Sequence, residues 1–150
     1  MRRFALATFV AVCLVLTISF GASASGIQTF KSSHAITFKH HPGTIHPDAT
    51  CSVNQSGRLN GNSLTVTATL ACDEQFVGTL NTVAKHCAFL CLYYDQTVNI
   101  LSCNVTTNNP TCVGSGIIAA SGRWDVTTTG WAVVADGGTG SGSTTASINK

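Results

Sequence analysis

Charge is what this sequence has least of. Asp, Glu, Lys and Arg make up 9% of its 150 residues, where a soluble domain carries about 25%. Solubility therefore rests on Thr, Ser, Asn and Gly, a balance common in secreted β domains and unusual in cytosolic enzymes. There is also no excess of either sign beyond the N-terminus. From residue 25 onward, Lys31, Lys39, Arg58, Lys85, Arg123 and Lys150 stand against Asp48, Asp73, Glu74, Asp95, Asp125 and Asp136, so six basic and six acidic groups cancel. The formal +2 of the whole chain comes from Arg2 and Arg3. That balance excludes a basic footprint for nucleic acid or anionic lipid, and no acidic tail is present. No nucleic acid is expected among the partners, and no membrane once the N-terminal segment is removed.

The usual signatures of catalysis are missing too. There is no G-x-S-x-G nucleophile elbow. The run GGTGSG, Gly137 to Gly142, lacks the lysine of a phosphate loop and its strand-to-helix setting. Ser147 to Lys150 matches S-x-x-K without the companion motifs of that chemistry. Asp73 and Glu74 with Asp125 would form a glycosidase pair only if the fold brought them together. No enzyme and no cofactor is implied. Sustained helical periodicity is absent outside the N-terminal apolar run.

That run is informative. Arg2 and Arg3 precede an apolar stretch from Phe4 to Phe20, and Ala22-Ser23-Ala24 fits the small-residue rule for signal peptidase. The stretch is short for a span of about 20 residues, and no basic flank follows it. Residues 1–24 are therefore expected to be a cleaved secretory signal, and 25–150 a single secreted domain. The place would be extracellular, or periplasmic in a Gram-negative host.

Six cysteines follow the expected cleavage point: Cys51, Cys72, Cys87, Cys91, Cys103 and Cys112. An even set in a small secreted chain predicts three disulfides, each contributing about 2–4 kcal/mol. Asn108-Asn109-Pro110 marks a turn that a Cys103–Cys112 bond would close. Cys51 and Cys72 flank a hairpin signal at Asn60-Gly61 and are candidates for cross-strand pairing. The stretch KHCAFLCLYYD, Lys85 to Asp95, has two readings. As a strand it spaces Cys87 and Cys91 about 13 Å apart, beyond the ~7 Å that a disulfide spans, so each needs another partner. A helical turn or tight loop would let them pair. The strand is the reading taken, although local pairing of the other four cysteines leaves these two for each other.

The alternation of Leu64, Val66, Ala68 and Leu70 with Thr65, Thr67 and Thr69 is the clearest strand pattern. AITFK, CSVNQ, FVGTLNTV, TVNILSC, VGSGIIAAS, GRWDVTTT, GWAVVAD and STTASI read as further strands, the last closing the Gly-rich tail. The fold class is all-β: a small disulfide-stapled antiparallel β-sandwich, immunoglobulin-like in architecture, with about seven to nine short strands.

Two sets of side chains are candidates for ligands. Trp124 and Trp131, placed on two strands joined by a Thr-Gly turn, and Tyr94 offer rings for stacking on a sugar or protein. Core tryptophans are the commoner use in sandwiches. His34, His40, His41 and His46, beside Asp48, supply imidazoles suited to zinc or copper, but in a turn-rich stretch without a metal-site spacing. The expected function is a secreted, non-catalytic β-sandwich that binds a glycan or protein ligand. The alternatives are a metal-binding protein using the His34 to His46 cluster, a structural subunit, or a small hydrolase.

Overall fold

The computed structural model describes residues 26–38, 49–135 and 137–150. The expected signal segment, His40, His41, His46 and Asp48 lie outside the described residues. Eight strands form: β1 (Gln28–Phe38), β2 (Ala49–Asn60), β3 (Ser63–Cys72), β4 (Phe76–Ala88), β5 (Tyr93–Thr106), β6 (Thr111–Ile117), β7 (Arg123–Val134) and β8 (Thr139–Asn149). They make two four-stranded antiparallel sheets, ordered β1-β2-β3-β6 and β5-β4-β7-β8. The expected all-β sandwich is thus present. Its strand order is not the ABED/CFG order of immunoglobulin domains, because β1, β2 and β3 run as a plain meander.

Alternation builds the core. In β3, Leu64, Val66, Ala68 and Leu70 are buried and the threonines between them face outward. The β2–β3 hairpin closes one residue later than its Asn-Gly signal: Asn60 pairs with Ser63, leaving Gly61 and Asn62 as the loop. Gly61 alone takes a positive φ, 58°, in the pattern of a type II′ turn with glycine first. Glycine also explains how the sheet edges meet. A Cβ on Gly142 would come within 2.5 Å of the Ile36 side chain, and one on Gly114 within 2.3 Å of the Ile100 carbonyl oxygen. So β8 lies close against β1, and β6 against β5, without side chains holding them apart. The Gly-rich tail is part of β8.

The core divides in two. One cluster contains Val53, Leu70, Phe76, Leu80 and Val105, with Cys51–Cys72 and Cys103–Cys112 packed into it; this is the stapled end. The other contains Leu59, Leu64, Ile118, Trp124 and Ile148. It lies at the end where β4 turns into β5, the tip end. Between them runs a buried polar chain. Thr128 donates to Gln55 Oε1 at 2.7 Å and so accepts from Thr82 at 2.6 Å. The Gln55 amide nitrogen faces Ser32 Oγ, the Val126 carbonyl and the Thr144 carbonyl at 2.8, 2.9 and 3.2 Å. Every group in this chain has a partner, which is the condition for burying it.

Candidate functional site

The two tryptophans sit on one strand, not on two joined by a turn. Gly130 between them is a buried position of β7, beside Val53. Their separation is odd, so the pleat sends them to opposite faces. Trp124 is fully buried, and its indole N–H donates to the Ala120 carbonyl at 3.0 Å. A surface ligand does not reach it. Trp131 is 44% exposed on the outer face of the β5-β4-β7-β8 sheet, and its indole N–H has no acceptor among the described residues.

Register sets the neighbours of Trp131. Thr79 of β4 and Ser141 of β8 lie directly opposite it, with Asn81, Thr129 and Ser143 in the next row toward the tip end. All of these are exposed. Among the described residues their side-chain hydroxyls and amide make no hydrogen bond. On the other side of Trp131, Val77 pairs with Val133, and this pair borders a shallow cleft of about 360 Å³ that also includes Gln75, Thr106, Thr107 and Asn108. The result is a flat indole with an apolar margin, among open hydroxyl groups.

The outer face of the β1-β2-β3-β6 sheet also carries many hydroxyls, several of them bonded in pairs, although Ser56 and Thr67 make no side-chain hydrogen bond among the described residues. Thr65 bonds Ser115 at 3.0 Å, Thr69 bonds Thr111 at 2.9 Å, and Ser33 donates to the Asn54 side chain at 2.6 Å. It carries no tryptophan.

At the tip end, β4 and β5 are joined by a tight turn, the alternative that the sequence reading set aside in favour of a strand. Cys87 and Cys91 are bonded to each other, so KHCAFLCLYYD is not one strand with its cysteines crossing to neighbours. The chain leaves β4 at Ala88 and reverses through Phe89, Leu90 and Cys91, whose φ values are 42°, 57° and 63°. Leu92 N–H closes the turn on the Phe89 carbonyl at 3.2 Å. Three consecutive non-glycine residues in the left-handed region cost about 1–2 kcal/mol each. No residue type there announces such a turn. All six cysteines among the described residues are paired, so Cys87 is a disulfide sulfur and not a nucleophile beside His86.

The turn stands on two polar clamps. His86 Nδ1 meets Asp95 Oδ1 at 2.6 Å, and Nε2 meets the Ser121 carbonyl at 3.0 Å. Both partners are acceptors, so the arrangement is complete only when both ring nitrogens carry hydrogen, as in the cation. The hydrogen bond to Asp95 raises the His86 pKa most; burial opposes it, and Ser121 adds to the rise. The ring also stacks at a tilt on Trp124, centroids 5.2 Å apart. Asp125 anchors the second clamp. It accepts from Ser147 at 2.6 Å, from the Tyr94 hydroxyl at 2.8 Å and from Arg123 Nε at 2.9 Å. Burial acts to raise the Asp125 pKa, but these three donors outweigh it and hold the carboxyl below its ordinary value. The same bond to Asp125 pushes the Tyr94 phenol up. Tyr94 thus keeps an exposed ring, with Lys85 Nζ 5.7 Å from its centroid.

The acids do not assemble as a catalytic pair. Asp73 and Glu74 lie in the β3–β4 turn at the stapled end, where the Asp73 carboxylate accepts from Thr50 N–H at 2.9 Å. Asp125 pairs in register with Lys85, nine residues along β4 from Phe76. At ~3.4 Å per residue the groups are about 30 Å apart, against the roughly 5–9.5 Å of glycosidase carboxyls. Of the histidines considered for metal, His34 is exposed on β1, and the other three lie outside the described residues. Among the described residues no group of three or more His, Cys, Asp or Glu is placed to hold a metal ion, and no helix is long and apolar enough to cross a membrane. The chain matches no protein-family model, no curated protein and no solved structure.

Proposed function

We propose that this protein is a secreted, non-catalytic binding module, and that its ligand is a glycan held on the outer face of the β5-β4-β7-β8 sheet around Trp131. One observation carries the reading: an exposed indole is surrounded by hydroxyl and amide groups that have no partner within the described chain, while the other sheet face carries no tryptophan and ties several of its hydroxyls in pairs. A sugar ring presents the matching chemistry, a C–H face for the indole and hydroxyls for Thr79, Asn81, Thr129, Ser141 and Ser143. Val77 and Val133 extend the apolar side toward the adjoining cleft. Three disulfides fit an oxidising compartment, which supports export, as does the N-terminal signal pattern.

Trp131→Ala tests the site. Binding to a panel of soluble oligosaccharides and insoluble polysaccharides, followed by affinity electrophoresis or pull-down, is expected to fall about tenfold or more, from an aromatic contribution of up to about 1.5 kcal/mol added to lost area. The unfolding midpoint is expected to stay in place. Glycan binding undiminished in Trp131→Ala would remove this face as the site.

A further inference from the structure

The β4–β5 turn presents apolar side chains in a way its own fold does not use. Phe89 is 71% exposed, Leu90 90% and Leu92 74%, and Tyr93 and Tyr94 are exposed directly behind them. Contiguous exposed apolar groups of this kind mark contact with a partner or a membrane. The left-handed backbone and the Cys87–Cys91 bond keep the turn short, so these side chains project outward and do not fold back over the sheet. His86 and Asp125 fix its base from both sides.

The surrounding charges indicate what it meets. The six-to-six balance of the sequence conceals a separation in space. Arg58, Lys85, Arg123 and Lys150 all lie at the tip end, against Asp95 and Asp125 there, which leaves an excess of two positive side chains before His86 is counted. Asp73 and Glu74 lie at the opposite end. Asp125 is engaged by Arg123, and Asp95 by His86. Lys85, stacked at the Tyr94 ring, is an exposed cation beside the apolar cap. From the outside inward the order is aliphatic and phenyl groups, then tyrosines, then cations. That order matches the hydrocarbon boundary, the aromatic belt and the anionic headgroups of a lipid surface.

We infer that the Cys87–Cys91 turn is a membrane-docking loop for anionic phospholipid, inserting Phe89, Leu90 and Leu92 with Tyr93, Tyr94 and Lys85 at headgroup level. This departs from the expectation drawn from net charge alone, since net charge does not register where the charges sit. The inference does not depend on the Trp131 face.

Sedimentation of the purified protein with vesicles tests it, comparing phosphatidylcholine alone with phosphatidylcholine and phosphatidylglycerol in equal parts. The protein is expected to sediment with the mixed vesicles, less with phosphatidylcholine alone, and less as salt is raised. Phe89→Ser and Leu90→Ser change solvent-facing side chains and leave the fold intact; each is expected to weaken partition by about tenfold or more. Lys85→Gln is expected to weaken it about fivefold, in mixed vesicles only. Trp131→Ala should sediment like the parent, which separates failure of this inference from failure of the glycan reading. A parent protein that stays in the supernatant with mixed vesicles overturns the inference, as do Phe89→Ser and Leu90→Ser variants that sediment undiminished. Capture of a protein partner through Phe89 and Leu90, without vesicle binding, would identify the turn as a protein contact and overturn it equally.

Discussion

At the stapled end, two disulfides lie in the core and the sheet surface beside it is open, with Trp131 and its neighbours facing solvent. At the tip end no disulfide enters the core; Trp124 fills it, and the polar side chains around it are engaged by one another. The open hydroxyls of Thr79, Thr129, Ser141 and Ser143 lie on β4, β7 and β8, which neither of these two disulfides joins, and they have no partner among the described residues. Where His86, Asp95, Asp125, Tyr94 and Ser147 hold the strands through their own hydrogen bonds, those groups are already occupied. The His86–Asp95 pair looks like a catalytic dyad until the second ring nitrogen is found on the Ser121 carbonyl; it is a clamp.

The largest effect that would sharpen this contrast comes from the two tryptophans. Trp124→Ala is expected to cost about 3–5 kcal/mol in urea unfolding, as lost transfer energy plus a cavity. Trp131→Ala is expected to change stability by no more than about 0.5 kcal/mol, as an open surface substitution does. Equal costs at the two sites would erase the distinction between the faces of β7.

The disulfides come next. Replacing Cys51 and Cys72 together by alanine opens a crosslink with a sequence separation of 21, and loop-closure entropy puts the loss at about 3 kcal/mol. Replacing Cys87 and Cys91 together opens a separation of 4, worth about 2 kcal/mol by the same relation, less the backbone strain that is released at Phe89, Leu90 and Cys91. Denaturant midpoints of the two double variants measure the difference. A larger loss from the tip bond would mean that this turn, and not the stapled end, carries the covalent stability.

The smallest effect is that of pH, and it belongs to the tip end. His86 has its folded pKa raised above 6.5. Its contribution is complete below the unfolded value and is lost as pH rises through the raised folded value. Asp125 has its folded pKa lowered below 3.8. Its contribution is present above that unfolded value and is lost as pH falls through the lower folded one. Thermal midpoints are thus expected to be highest between these limits and to decline slightly on the alkaline side. His86→Gln should flatten the alkaline decline. A decline that persists in this variant would have another origin.

Much of the fold was legible because alternation is a local signal: Leu64 to Leu70 states its own inward face, and the short spans Cys51–Cys72 and Cys103–Cys112 are closed by turns that the residues announce. Three features were not legible, for separate reasons. The Cys87–Cys91 turn depends on left-handed backbone at Phe89, Leu90 and Cys91, residues that carry no preference for it. The roles of Trp124 and Trp131 depend on β7 being continuous, and Gly130 read as a turn when it is a position where a side chain would meet Val53. With one strand assumed, parity alone would have buried one ring and exposed the other. The open hydroxyls around Trp131 depend on cross-strand register, which places Ser141 beside it across the β7–β8 hairpin and Thr79 beside it from far along the chain.

The most direct test of the account uses the two indoles as internal opposites. With nitrogen-15 labelling, the indole N–H resonances of Trp124 and Trp131 can be followed while oligosaccharides selected by the binding panel are titrated in. The account predicts that the Trp131 resonance moves and saturates with the ligand, and that Trp124, bonded to the Ala120 carbonyl in the core, stays in place. Saturable binding that leaves Trp131 unmoved would contradict it.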